Sequence, residues 1–370
     1  MTKNIVIDAS STFPGGGMTF LKEFLKIGLK TDINFEIICS NKINPLLPIS
    51  ENIKVVNHPF LNRNLIFRYL YKFFLLEKSI KTEANVLISL SGDYLGSFKP
   101  YLGVCQNMLL YEKDKRDGMS FFDKLKFEIL KIIQIRSFRK SSGVIFLSNH
   151  AQNIVSRYIG KVPKKVINFG ISQRFLNSNR VFSQKKSNKF LYVSSIHTYK
   201  KQFELILAFK ELINEGYNIE LSLVGPILNK KYWNKVNKII DEINQENKFI
   251  KHYNFVNHEK IHSFYNNHKY FIFPSICENM PNIVLEAIAS KIPVLSSKED
   301  PMPEFLKKNA VYFNSHDHKS IKEMIIYSIE NYDEMKYNSI NAFKEVFNYS
   351  WEKNFKSTLD FIEEINAIKR

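Results

Sequence analysis

Two glutamates carry the most specific chemical signal in the sequence. Glu278 and Glu286 stand eight residues apart in FIFPSICENMPNIVLEA (271–287), an apolar run, a polar loop and then a helical pattern whose start Pro281 and Asn282 set. That spacing puts Glu278 in the loop at the carboxyl end of a strand and Glu286 within about the first two turns of the following helix. In an open α/β sheet, this edge is where ligands bind. A carboxylate accepts two hydroxyl hydrogen bonds, so the pair suits a ribose or a hexose while the helix N-terminus faces a phosphate. The competing reading is structural: Glu286 complements the helix dipole and Glu278 is solvated. A second feature is Pro14-Gly15-Gly16-Gly17, ahead of a helical pattern at 19–30. Glycines there let the backbone approach a ligand and leave N–H groups at a helix N-terminus free for an anion such as a diphosphate. The spacing does not match the dinucleotide fingerprint G-x-G-x-x-G, and a mobile turn without ligand is the plain alternative.

The elements that position these residues follow from periodicity. Short β-branched or aromatic runs alternate with longer helical patterns, which argues for parallel strands covered by helices. Strands are expected at 5–8, 35–39, 53–57, 86–90, 101–105, 144–148 and 165–169, and again at 190–194, 221–225, 250–255, 270–274, 293–296 and 310–313. Helical patterns fill 202–214, 233–246 and 283–290, and a terminal helix runs over 351–368. Two Rossmann-like domains result, at 1–175 and 189–348, joined by a polar linker at 176–188. Nothing in the sequence dictates where the last segment, 349–370, docks; packing back on the first domain is one arrangement.

At 370 residues the chain exceeds what a single core holds efficiently, and 44% hydrophobic with 24% charged residues excludes a disordered or fibrous protein. The net charge of +17 calls for an anionic partner, or reflects compositional drift, because only nine of the 53 basic residues are Arg. Cys39, Cys105 and Cys277 lack the paired spacing of a zinc site or a redox dithiol, which suggests a reducing, cytoplasmic setting. The sequence opens directly on a strand-like run and contains no stretch of about 18 apolar residues, so any membrane contact is expected to be peripheral. Adjacent residues such as His316-Asp317-His318 do not readily face one ion, and they read as loop residues.

The run from Phe273 to Ala287, followed by KIPVLSS and by Pro303-Glu304, resembles the E-x7-E signature of the retaining family-four glycosyltransferases, the group 1 type with the GT-B fold. Further likenesses lie in order along the chain: the glycine turn, VIFLS near Ser148, VINFGI near Gly170, YVSSIHTYK near Lys200, Val224-Gly225, and the aromatic segment at Trp351. The resemblance implies two Rossmann-like domains facing each other across a cleft. It also implies transfer of a hexose from a UDP- or GDP-linked sugar to an acceptor hydroxyl, with retention and without an obligatory cofactor or metal. No Asp-x-Asp pair occurs to hold a metal on a donor diphosphate. Carried over by motif position, Glu278 contacts the donor sugar, Glu286 the ribose, and Lys200 neutralises the leaving diphosphate. Gly16, Gly17, Asn279, Met280, Pro281, Asn282 and Ile283 then serve the sugar and diphosphate through their backbone.

Two departures from the family pattern stand out. Ser194-Ser195-Ile196 occupies the place of the usual G-R-L triplet, so one phosphate cation is missing and His197, Lys201 or a residue elsewhere must compensate. Cys105-Gln106-Asn107-Met108 stands where many members have a His, leaving Gln106 and Asn107 as acceptor- or sugar-facing amides. In such proteins the first domain receives the acceptor. Here residues 61–140 carry a net +7 and mix Phe67, Tyr69, Tyr71, Phe73 and Phe74 with Arg63, Arg68, Lys72, Lys78 and Lys81. An amphipathic basic face of that kind would suit a lipid-linked glycan on an anionic membrane; its plain alternative is a core helix whose lysines reach water. A role in surface polysaccharide (lipopolysaccharide or capsule) synthesis, peripheral on the cytoplasmic face of the membrane, is the expectation. A GT-B sugar-nucleotide epimerase and a non-catalytic sugar-nucleotide or nucleic-acid binding protein are the alternatives. Nucleic acid is not an expected partner, since the charge is diffuse and no stacking platform is recognisable.

Overall fold

A computed structural model describes residues 4–12, 16–80, 83–177, 180, 182, 187–245, 247–257 and 260–367. Pro14 and Gly15 of the glycine turn lie outside the described residues, as does Lys81. The chain forms two compact units: Met1–Tyr111 with Phe121–Gly170 and Tyr349–Arg370, and Glu112–Ser120 with Ile171–Asn348.

The first unit holds a parallel sheet of seven strands: β1 (Asn4–Asp8), β2 (Asn34–Ile38), β3 (Ile53–Val56), β4 (Val86–Ser89), β5 (Tyr101–Cys105), β6 (Gly143–Phe146) and β7 (Lys164–Val166). Their order is β3-β2-β1-β4-β5-β6-β7. The second unit repeats the plan with β8 (Asn188–Val193), β9 (Ile219–Val224), β10 (Ile250–Tyr253), β11 (Tyr270–Phe273), β12 (Val294–Ser297) and β13 (Val311–Phe313), ordered β10-β9-β8-β11-β12-β13. All thirteen expected strands are present. Central strands such as VLIS and YFIF are buried at every position because helices cover both faces, so they appear in the sequence as unbroken apolar runs. Strand order reverses at β1/β4 in one sheet and β8/β11 in the other, and loops leaving those carboxyl ends frame the crevice of such a sheet.

The terminal helix Trp351–Ala367 belongs to the first unit. Its Trp351 ring stacks 5.6 Å from Phe169, and Phe355 lies 4.8 Å from Phe24 on the helix Gly16–Gly28. Asn354 Nδ2 donates to the Asn168 carbonyl at 2.8 Å. Gly170 permits the approach: a Cβ there would sit 2.2 Å from the Trp351 backbone nitrogen.

Two segments depart from the sequence reading. Glu112–Ser120, expected within the first domain, belongs to the second unit, where it packs on the turn Thr198–Lys200. The second unit's main segment begins at Ile171, ahead of the expected linker, and both Phe175, just before that linker, and Arg180, within it, are anchored. Phe175 is buried 5.7 Å from Tyr265, and Arg180 donates through Nη1 to the Tyr265 carbonyl at 2.8 Å and through Nη2 to that of Lys269 at 3.3 Å. Replacing Trp351 by Ala removes a buried aromatic from this packing and is expected to lower the unfolding free energy by about 3–5 kcal/mol. Urea unfolding followed by fluorescence or circular dichroism checks this; a loss below about 1 kcal/mol would show that the helix is not part of the first unit's core.

Candidate functional site

The switch point of the second sheet gathers the residues singled out by chemistry. β8 ends at Val193, and the chain passes through Ser195 into the turn Thr198–Lys200 before entering the helix Gln202–Asn214. Lys201 makes that entry with φ 56°, a left-handed conformation that a non-glycine residue holds only where its surroundings over-determine it. Tyr192 donates its hydroxyl to the Lys200 carbonyl at 2.7 Å, and Gln202 Nε2 donates to the Ser195 carbonyl at 2.9 Å. Gly225, at φ 142°, closes against the same turn, since a Cβ there would lie 2.3 Å from the Ser194 oxygen.

From the adjacent β11, the loop carrying Glu278 is stitched to this turn by the Ile276 N–H, which donates to the Tyr199 carbonyl at 3.0 Å. The result is an ion pair between Lys200 Nζ and Glu278 Oε1, with side chains only 10% and 15% exposed. Burial works against the charge on Lys200, but Glu278 outweighs it and raises the lysine pKa above its ordinary value. Asn279, Met280 and Pro281 are buried, and Pro281 precedes the helix Asn282–Ala289, which no side chain caps. Asn282 Oδ1 is buried without a partner among the described residues. One turn on, Glu286 accepts from the Tyr265 hydroxyl at 3.1 Å, and the same hydroxyl reaches the Ile283 carbonyl at 3.2 Å. Lys200, Ser195, Lys201 and the segment 278–286 therefore meet at one sheet edge.

Lys201 pairs with Glu204 at 2.8 Å, and His197 lies 4.7 Å from the Tyr199 ring. The His316-Asp317-His318 triplet is spread over separate tasks: Asp317 caps the helix His318–Glu330 and His318 Nε2 meets Glu211 at 2.9 Å. Among the described residues no group of three or more His, Cys, Asp or Glu has the geometry to hold a metal.

In the first unit, Gly16 and Gly17 open the helix Gly16–Gly28, and Gln106 lies over them, its Oε1 3.1 Å from where a Gly17 Cβ would be. Gln106 Nε2 is buried with no partner among the described residues. Asn107 differs: its Oδ1 accepts from the Leu109 N–H at 3.1 Å and caps a short turn.

Three groups escaped sequence reasoning. Tyr265 lies far from Glu286 in sequence and reads as a core aromatic, and no local signal marks it. Arg180 sat in what looked like a linker. Lys72 was assigned to a basic aromatic surface, but its side chain is 1% exposed and bridges Asp8 (3.6 Å) and Asp93 beyond the carboxyl ends of β1 and β4. Tyr71 is buried as well, leaving Phe73 and Phe74 on the surface. The signal was Asp8 itself, a carboxylate ending a buried strand and needing a cation.

Two parallel α/β sheets of these strand orders define the class of fold, GT-B. The HepE protein of Anabaena, solved with UDP and glucose, superposes with a TM-score of 0.76 at 15% identity, over 98% of this chain and 100% of that one. Sucrose-phosphate synthase from Thermosynechococcus elongatus gives 0.79 at 13% identity, over 99% and 100%. Residues 173–345, nearly the whole of the second unit, match the family model Glycosyl transferases group 1. By sequence, the chain is 25% identical over 248 residues to the capsular polysaccharide biosynthesis glycosyltransferase CapH of Staphylococcus aureus. The match takes in 62% of this chain and spans 64% of the length of CapH.

The Lys72–Asp93 pair makes a sharp pH prediction. Burial opposes ionisation of Asp93, but Lys72 outweighs it and holds the carboxyl below the usual range. A depressed carboxylate adds stability above the unfolded pKa of about 3.9, which is lost as pH falls through the folded value. Lys72→Ala leaves buried carboxylates unpaired and is expected to cost about 3–5 kcal/mol at neutral pH. The gap to the parent should narrow as pH drops below about 4. Urea unfolding of both proteins across that range checks it, and a gap independent of pH would contradict the pairing.

Proposed function

We propose that this protein is a retaining, metal-independent glycosyltransferase that moves a hexose from a nucleotide sugar to a hydroxyl of a glycan or lipid-linked acceptor during surface polysaccharide assembly. The observation that carries this reading is the Lys200–Glu278 pair beside Glu286 at the switch point of a group 1 glycosyl transferase unit. The resemblance to CapH supports the polysaccharide context, and the resemblance to HepE, solved with UDP and glucose, supports a nucleotide-sugar donor.

In this reading Glu286 accepts the ribose hydroxyls, held at its angle by Tyr265. The uncapped start of the helix Asn282–Ala289 faces the diphosphate, with the backbone of Asn279–Ile283 beside it. Lys200 turns from Glu278 to the diphosphate as charge develops there, which lowers the barrier because the interaction strengthens in the transition state. Glu278, released, takes hydroxyls of the sugar. The acceptor oxygen attacks on the face the diphosphate leaves, with no glycosyl-enzyme. Ser195 offers no cation, so Lys201 supplies the second positive charge. Gly16, Gly17 and Gln106 present donors to an anionic or hydroxylated group in the first unit.

Thermal stabilisation against UDP, GDP and a panel of their sugars tests the reading. One donor should stabilise the protein, and Glu286→Gln should weaken that binding by about 1.5–3 kcal/mol, more than tenfold, from loss of a charged acceptor. Proton NMR of the product should show the donor's anomeric configuration retained. An inverted product, or a covalent adduct on Glu278, would overturn the mechanism.

The peripheral-membrane part of the proposal rests on the helix Phe121–Lys140. It exposes Phe121, Phe122, Leu125, Ile129 and Ile132 and carries Lys124, Lys126, Arg136, Arg139 and Lys140. Apolar rings flanked by cations suit an anionic interface. Sedimentation should show binding to vesicles containing phosphatidylglycerol and little to neutral ones, with at least a tenfold loss for Phe121→Ser/Phe122→Ser. Equal pelleting would remove the membrane from the proposal.

A further inference from the structure

The segment Glu112–Ser120 is separated by the fifty residues 121–170 from the rest of the second unit and lies outside the family match at 173–345. It nonetheless touches three loops at the carboxyl edge of the second sheet. Beyond β11, the Cys277 thiol donates to Glu112 Oε2 at 3.3 Å, with both residues buried. Beyond β12, Lys115 Nζ meets Glu299 Oε2 at 2.5 Å. Beyond β8, Gly118 at φ 73° lies so close to Thr198 that a Cβ would come within 3.0 Å of its methyl carbon. The loops reached are the one bearing Glu278, the one following β12, and the turn bearing Lys200.

We propose that Glu112 and Lys115 are positioning residues: this strap sets the place of the Glu278 carboxylate through the neighbouring Cys277 and the Lys200 turn. The inference rests on the glycosyltransferase reading for its effect on turnover, but not for its effect on the loop. Glu112 opens the short turn Lys113–Arg116 without capping it by its side chain, and its carboxylate reaches a residue 165 positions away. Burial raises the Cys277 thiol well above its usual pKa, helped by Glu112 and Glu278, so the S–H remains a donor at neutral pH. A buried carboxylate oxygen left without a donor is costly, which makes the geometry of this contact strict. Its effect passes to Glu278 through a single peptide bond.

The strap does not touch substrate in this account, so its loss should lower turnover without weakening donor binding. The test uses the full chain in four forms besides the parent: Cys277→Ala, Cys277→Ser, Lys115→Glu, and Lys115→Glu combined with Glu299→Lys. The first readout is hydrogen–deuterium exchange of residues 276–282 in protein without nucleotide. Cys277→Ala and Lys115→Glu should speed exchange there at least tenfold, while Cys277→Ser and the charge-swapped double variant should stay within about threefold of the parent.

The second readout is turnover of whichever of UDP-glucose, UDP-galactose, UDP-N-acetylglucosamine and GDP-mannose stabilises the parent. Here kcat should fall about tenfold in the broken variants with KM within twofold, and the two restoring variants should recover. Unchanged exchange and kcat in Cys277→Ala would overturn the proposal. So would equal losses in Cys277→Ala and Cys277→Ser, the mark of packing alone. If none of the four sugars is turned over while exchange follows the expected pattern, the glycosyltransferase reading has failed and the strap's hold on the loop stands.

Discussion

Everything in the second unit's edge is arranged around one nearly buried cation. Lys200 is held in a turn between β8 and its helix, where an unpaired ammonium would lose most of its hydration, and Glu278 from the next strand restores the balance. For the two to meet, β8 and β11 must be neighbours, the turn must end in the left-handed Lys201, and the loop after β11 must be stitched to Tyr199. Each condition is backbone geometry, so the pair reports on the whole switch point. A hydrophobic pair would pack more cheaply. An ion pair that can be opened is what the proposed chemistry on a charged leaving group requires.

The same logic runs through the other lysines. Lys115, Lys200 and Lys201 each face a carboxylate, namely Glu299, Glu278 and Glu204. His316 senses two of these pairs. Burial lowers its pKa first, and among the charges Lys201 and Lys115 add to the shift while Glu299 and Glu204 oppose it. The edge is thus a set of balanced pairs rather than a patch of free positive charge. An anion entering it gains from exchanging one partner for another, not from bare attraction, and such exchange discriminates geometry as well as charge.

Strands and the glutamate loop were legible in the sequence because their signals are local. A strand buried on both faces is an apolar run of four to six residues, and the start of the helix after β11 is marked by Pro281 and Asn282 within ten residues of Glu278. Long-range partners were not legible. Lys72 sits in a run of aromatics and cations that reads as a surface, and only the pairing of β1 with β4 shows that Asp8 and the loop holding Asp93 converge on it. Tyr265, Arg180 and Glu112 act across 21, 85 and 165 positions respectively, and no periodicity carries information over such spans.

Ser195, standing where the resemblance implies an arginine, shows how such a departure is absorbed. Ser195 contributes mainly its carbonyl, which accepts from Gln202 Nε2 and closes the turn ahead of Lys200. An arginine there would bring a long side chain and a permanent charge; serine brings neither, and the turn is held by backbone, amide and hydroxyl contacts. The cation nearest in sequence to Lys200 is then Lys201, whose left-handed backbone sends its side chain to Glu204 on the first turn of the helix it opens. An ammonium lacks the planar fork of a guanidinium and binds phosphate as a point charge. In the proposed reaction two adjacent lysines, each released from its own carboxylate, replace one bidentate contact with two single ones. Leaving-group stabilisation in that proposed reaction therefore depends on how readily Glu278 and Glu204 give up their partners.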